Sequence, residues 1–227
     1  MRKAMILAAG YGKRMRELTQ HVPKPLLPAD NQLLIEHSLL RLAKAGFQEV
    51  VINISYLADQ FERKLGDGSR YNVAIQYSRE EKPLGWGGGI ARALPLLGSE
   101  PFLAISGDLW TDYPFDQLRN MSLKALAHLV LVHESDFSPD YHLTQEGYIT
   151  QTSPAHTYAG IGLFHPDLFR SLSLGEHGFA EIMNPVIKNH QVSGEIFDGS
   201  WFNVGTPECL TGLRQWLGST SGNHEKS

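Results

Sequence analysis

Ala4-Met5-Ile6-Leu7-Ala8-Ala9-Gly10-Tyr11-Gly12-Lys13-Arg14-Met15 is a continuous apolar run that ends in a Gly-x-Gly turn followed by two cations. An unbroken run of this kind suits a strand buried on both faces of a parallel sheet, and glycines just beyond it let backbone N–H groups approach a ligand closely. The basic start and apolar stretch superficially resemble a leader peptide. The run from Met5 to Ala9 is too short for one before Lys13 and Arg14, and it reads as a first strand.

Working outward, Leu33 to Ala45 carries Ile35, Leu39 and Leu42 at helical spacing, with Gly46 as the stop. Glu49 to Ile54 reads as a strand, Leu57 to Leu65 as a helix, and Val73 to Tyr77 as a strand after the turn Gly66-Asp67-Gly68-Ser69. Further strands are expected at Phe102 to Ser106, Leu126 to Val132 and Tyr158 to Phe164. Further helices are expected near Ala91 to Leu96 and Ala180 to Asn189, and at Pro207 to Leu217 with Thr206 as N-cap. The β-α-β-α-β alternation predicts an α/β fold, a Rossmann-like, mainly parallel sheet with helices on both faces. Residues 1–217 are expected to form one domain, with 136–155 as a small lobe or hairpin over one edge and 218–227 as a disordered tail.

The chain has 227 residues, 42% hydrophobic and 19% charged, a composition of ordinary globular proteins. No apolar run reaches the length of a membrane span, so no membrane partner is expected. The single Cys209 permits no internal disulfide, suits the cytoplasm, and reads as a packing residue on a late helix. A net charge of -4 argues against nucleic-acid binding. Locally the balance reverses: Lys13, Arg14, Arg16 and Lys24 cluster with Glu17 as the one acid among them, which suggests a bound anion.

In open α/β sheets ligands sit at the carboxyl ends of strands, and both Gly10 to Arg16 and Gly107-Asp108 follow expected strands. A P-loop would need Gly-Lys-Ser/Thr after its spacer, which is lacking. A dinucleotide fingerprint would need a third glycine where Met15 stands. The ten histidines form no metal-ligand spacing, and no serine-hydrolase elbow occurs.

The combination is more specific. Leu7-Ala8-Ala9-Gly10-Tyr11-Gly12-Lys13-Arg14-Met15 with Pro23-Lys24-Pro25-Leu26-Leu27-Pro28 closely resembles the N-terminal signature of sugar-1-phosphate nucleotidylyltransferases. The likeness continues through Leu84-Gly85-Trp86-Gly87-Gly88-Gly89-Ile90, Gly107-Asp108, Tyr158-Ala159-Gly160-Ile161 and Trp201-Phe202-Asn203-Val204-Gly205-Thr206-Pro207, and so covers nearly the whole chain. The resemblance implies transfer of a nucleotidyl group from a nucleoside triphosphate to a sugar 1-phosphate, with Mg²⁺ as cofactor and pyrophosphate released. It implies catalytic roles for Arg14 on the leaving pyrophosphate, Lys24 between the α-phosphate and the attacking phosphate, and Asp108. It implies nucleotide binding by Leu7, Ala8, Ala9, Gly10, Gly12, Lys13, Gly85, Trp86 and Gly88, sugar binding by Asp140 and Gly160, and metal ligation by Asp108 and Asn203. A monomer or small homo-oligomer is expected.

Two positions depart from the family pattern. Asn203 stands where many relatives have aspartate, offering one neutral carbonyl oxygen, and Trp86 stands where threonine is usual. Leu65-Gly66-Asp67-Gly68-Ser69-Arg70, Ala93 to Gly98, Trp110 to Tyr113 and Val192 to Glu195 resemble members that pair UTP with N-acetylmuramic acid α-1-phosphate. The short segment 136–155 would leave room for a bulky acceptor, whose carboxylate could meet Arg70, Arg79, Lys82 or His142. Guanylyl or thymidylyl transfer to mannose or glucose 1-phosphate, an inactive nucleotide-binding regulator and a nicotinamide-dependent oxidoreductase stay open at this stage.

Overall fold

A computed structural model describes residues 3–133, 138–173 and 175–221. In chain order the elements are β1 (Lys3–Leu7), β2 (Pro28–Ala29), β3 (Gln32–Leu33), α1 (Leu34–Lys44), β4 (Glu49–Ile54), α2 (Asp59–Leu65), β5 (Ala74–Arg79) and α3 (Gly85–Leu97). There follow β6 (Phe102–Ser106), β7 (Leu109–Thr111), α4 (Phe115–Asn120), β8 (Ala127–Val132), β9 (His142–Leu143), β10 (Ile149–Thr150), β11 (Thr157–Phe164), α5 (Phe179–Lys188), β12 (Val192–Phe197), β13 (Trp201–Asn203) and α6 (Pro207–Ser221).

Seven strands form the central sheet in the order β12-β8-β11-β6-β1-β4-β5. Pairing is parallel throughout except around β11, which runs antiparallel to both β6 and β8. Alternation along β1 sends Ala4 and Ile6 to one face and Met5 to the other. The first face is covered by Ile35, Leu39 and Leu42 of α1, Phe61 and Leu65 of α2, and Phe115 and Leu118 of α4. The second is covered by Ile90, Ala93 and Leu97 of α3 with Ile182, Met183 and Ile187 of α5. The side chains of Ile35, Leu39 and Leu42 are wholly buried, and each contributes about 2 kcal/mol by leaving water. The expected α/β sheet with helices on both faces is the fold observed.

The chain adds β4 and β5 on one side of β1 and then returns to place β6 on the other. That reversal opens a crevice beyond the carboxyl ends of β1 and β6.

Several expectations are corrected. Helix α3 begins at Gly85, six residues before the expected Ala91, because the glycine run is held by close packing rather than by helix propensity. A Cβ at Gly87 would stand 2.0 Å from Ile182 Cδ1, and one at Gly88 2.2 Å from the Gly175 carbonyl oxygen. The edge strand β12 went unrecognised, since Gly194 and Glu195 weaken its strand signal; a Cβ at Gly194 would stand 2.4 Å from Ile149 Cδ1 of β10. Cys209 is exposed rather than packed, because α6 turns Leu210, Leu213 and Leu217 inward. Helix α6 also continues through Ser221 beyond the expected end at Leu217; residues 222–227 lie outside those described. Of segment 136–155, residues 136 and 137 lie outside the described residues, and β9 and β10 pair as a hairpin whose Tyr148 bridges Ser193 on β12.

Candidate active site

Gly12 has φ +64, a left-handed conformation that favours glycine, and a Cβ there would stand 3.2 Å from both Lys24 Cβ and Thr19 Cγ2. The glycine thus lets the loop after β1 lie directly against Lys24. Buried Met15 anchors the following turn, and Arg16 is held at φ 53, which costs a non-glycine residue about 1–3 kcal/mol. Lys24 lies in one 3₁₀ turn between Pro23 and Pro25, rings that fix φ on either side of it. Its ammonium donates to Asp108 Oδ2 at 2.5 Å, both side chains being largely buried.

Asp108 reaches that position because Gly107 N donates to the Leu7 carbonyl at 2.8 Å, an approach that a Cβ at residue 107 would block at 2.7 Å. Beyond it, β7 pairs with β13 so that Leu109 faces Asn203, and Val204 N donates to the Asp108 carbonyl at 2.9 Å. Asn203 is therefore beside Asp108. Its Oδ1 is buried with no hydrogen-bond partner.

Two clefts meet here. One of about 310 Å³ is lined by Leu7, Ala8, Ala9, Gly10, Gly12 and Lys24 on one wall and by Pro83, Gly85 and Trp86 on the other, with Asn53 also in its lining. A second, of about 300 Å³, is lined by Tyr158, Gly160, Phe179, Trp201 and Asn203. Trp86, Ser106 and Asp108 belong to both. Gly160, at φ +73, lets β11 cross the end of β6, for a Cβ would stand 2.7 Å from Ser106 Oγ.

Of the residues singled out from sequence, Leu7, Ala8, Ala9, Gly10, Gly12, Lys24, Gly85, Trp86 and Asp108 are brought together around the first cleft, and Gly160 and Asn203 around the second. The others lie apart. Gly88 is buried against Gly175, a packing position. Lys13 places its ammonium 5.4 Å from the Tyr11 ring centre. The Arg14 guanidinium lies flat over Gly205, its Nη1, Cζ and Nη2 at 3.3, 3.4 and 3.4 Å from where a Cβ would stand. Asp140 is exposed and accepts from Tyr158 N at 3.4 Å, bracing the strand that forms the second cleft. Trp86 packs edge-on against Phe164 and Phe179, with ring centres 5.0 and 4.7 Å away. Arg79 is occupied by Asp59 and Glu62, and Arg70 by Glu36 and Tyr71.

Sequence reasoning missed Asn53 and Glu80. Asn53 was visible as a polar interruption of the apolar strand Val50-Val51-Ile52-Asn53-Ile54. It accepts from Ala8 N at 2.8 Å and donates to Glu80 Oε1 at 2.7 Å, while Glu80 Oε2 accepts from Leu84 N at 2.9 Å. Burial raises the Glu80 carboxyl above its ordinary value, partly offset by the bonds from Asn53 and Leu84.

Among the described residues no group of three or more His, Cys, Asp and Glu could hold a metal. The pair Asp108 and Asn203 does fit a hard divalent cation that takes its remaining oxygens from a ligand. One supplies a carboxylate and the other a buried carbonyl oxygen that lacks a partner.

A family model described as nucleotidyl transferase matches residues 3–140. The chain is 40% identical over 215 residues to an N-acetylmuramate alpha-1-phosphate uridylyltransferase of Neisseria meningitidis serogroup B, covering 90% of this chain and 93% of that one. It is 29% identical over 236 residues to a mannose-1-phosphate guanylyltransferase catalytic subunit beta of Danio rerio, of which it spans 65%. Among solved structures, HddC from Yersinia pseudotuberculosis, complexed with GMP-PN, superposes with a TM-score of 0.81 at 17% identity over 96% of this chain and 100% of that one.

Proposed function

This chain belongs to the nucleotidyl transferase family and is a sugar-1-phosphate nucleotidyltransferase, and from that premise we propose that it joins UTP to N-acetylmuramic acid α-1-phosphate with the help of Mg²⁺. Its place would be cell-wall recycling in the cytoplasm, and residues 1–217 its catalytic unit. The observation that carries the reading is the shared boundary of the two clefts at Asp108, with Lys24 on it. A triphosphate in the glycine-lined cleft and an acceptor phosphate in the aromatic one would meet there. The 40% identity to the Neisseria uridylyltransferase over nearly both full lengths supports the choice of substrates.

In this reading the chain's own work is positioning and neutralisation, since an acceptor phosphate oxygen displaces pyrophosphate from the α-phosphorus without a protein nucleophile. Lys24 holds its charge where the two phosphates converge. Arg14, which rests on Gly205 outside the lining of both clefts, would have to swing its guanidinium to the pyrophosphate end. Gly10 and Gly12 leave the backbone open to the phosphates. Asp108 and Asn203 would hold Mg²⁺, which when bound neutralises charge on phosphate oxygens.

A matrix of nucleoside triphosphates against sugar 1-phosphates, read by pyrophosphate release with and without Mg²⁺, tests this. UTP with N-acetylmuramic acid α-1-phosphate should give the highest kcat/KM. A preference of tenfold or more for GTP or dTTP with mannose or glucose 1-phosphate would remove the proposed substrates and leave the reaction class standing.

A further inference from the structure

The two walls of the glycine-lined cleft come from distant parts of the chain, Leu7 to Gly12 after β1 and Pro83 to Trp86 before and within α3. A single file of buried hydrogen bonds joins them: Ala8 N–H to Asn53 Oδ1, Asn53 Nδ2–H to Glu80 Oε1, and Leu84 N–H to Glu80 Oε2. Asn53 borders the cleft but is 2% exposed, with both polar atoms of its side chain bonded within the protein, and Glu80, outside the lining, is 5% exposed. The helix leaves room for the pair only because residue 89 is glycine. A Cβ there would stand 2.6 Å from Asn53 Nδ2 and 2.9 Å from Glu80 Oε1.

The direction of the file is fixed at both ends by backbone donors, which cannot reverse. Asn53 must turn its oxygen to Ala8 and its NH₂ to Glu80, so residue 80 must accept on both oxygens, as only a carboxylate does. We propose that Asn53 and Glu80 are positioning residues that set the separation of the two walls of the nucleotide slot, acting through Ala8 and Leu84. This rests on the assignment of that cleft to the nucleotide.

The pairing makes a test by exchange. Glu80→Gln sets an amide NH₂ against either Asn53 NH₂ or Leu84 N–H, leaving buried donors face to face. Asn53→Asp sets two carboxylates against each other. The double variant Asn53→Asp with Glu80→Gln satisfies every group again at unchanged net charge. The carboxylate then at position 53 would accept from Ala8 N and from the side-chain amide at position 80, whose oxygen accepts from Leu84 N, so only the middle bond reverses. Each single variant should raise the KM for UTP about tenfold and leave the KM for the sugar phosphate within about twofold, while the exchanged pair returns the UTP value to within about threefold of the original. Wild-type behaviour of Glu80→Gln, or an exchanged pair no better than the worse single variant, overturns the proposal. The latter is the result expected if Asn53, which borders the cleft, or Glu80 itself touches the nucleotide. If the single variants do not fold, the exchanged pair decides alone: a near-original UTP KM supports the relay and a tenfold weaker one overturns it. Calorimetric titration with UTP needs no turnover. Wild-type protein that binds UTP while the exchanged pair does not overturns the relay, whereas wild-type protein that releases no pyrophosphate with any substrate pair removes the functional reading instead.

Discussion

On the glycine-lined side of Asp108 the buried polar groups are matched end to end, from Ala8 through Asn53 and Glu80 to Leu84. On the aromatic side they are not: Asn203 Oδ1 is buried without a partner. An unpaired buried polar atom costs free energy that a ligand or ion can recover. The first cleft thus has its two walls joined by hydrogen bonds made within the protein, whereas the second presents a buried carbonyl oxygen that makes none.

Asp108 belongs to both sides, and its loss should be the most damaging. Asp108→Ala is expected to lower turnover by about a thousandfold or more while far-ultraviolet circular dichroism stays unchanged. Near-full Mg²⁺-dependent activity would erase the boundary on which the comparison rests. Lys24→Ala should reduce kcat by about a hundredfold, because a fixed cation aimed at developing charge is worth about that much. A raised KM at constant kcat would place Lys24 with the pre-formed side as a uniform binding group.

Asn203→Asp probes the unfinished side and should lower the Mg²⁺ concentration for half-maximal activity by about three- to tenfold, since a carboxylate adds charge to an oxygen already lacking a partner. An unchanged titration would take residue 203 away from the ion. The smallest effect concerns stability. Burial alone would raise the Glu195 carboxyl, but the nearby His128 and the Tyr113 hydroxyl outweigh it and hold the group below its ordinary value of 4.5. A depressed folded value means that this stabilisation is present above the unfolded value and is lost as pH falls through the folded one. The Tm of the wild type should accordingly fall more steeply than that of Glu195→Gln between about pH 5 and pH 3. Parallel curves would show that Glu195 contributes nothing to the acid limb.

The same division marks what could be read from sequence. The strand before Gly10, the amphipathic α1 and the position of Asp108 after β6 were legible, because apolar runs and helical periods report burial directly. Strand β12 and the β7–β13 pair were not, since short strands carrying glycine or polar residues owe their pairing to neighbours remote in sequence. The glycines of α3 precede the helix expected from Ala91, and only the positions of Ile182, Gly175, Asn53 and Glu80 explain a helix there. At the site, residue types pointed to the glycine loop after β1 and to Asp108, while Gly85, Trp86, Gly160 and Asn203 followed only from the family resemblance. The resting place of Arg14 on Gly205 depends on side-chain direction, which spacing does not encode.

Met15, in the turn that follows the glycine loop, is buried in one apolar cluster with Leu210, Leu213 and Leu217 of α6. The beginning and the end of the described chain consequently share one small core, separate from those on the two faces of the sheet. Fraying of α6 would be felt at the end of the cleft that Gly10 and Gly12 line, without any residue lining it being changed. In hydrogen-exchange terms, the amide of Met15, which donates to the Gly12 carbonyl at 2.8 Å, should open together with those of α6 as a single cooperative unit.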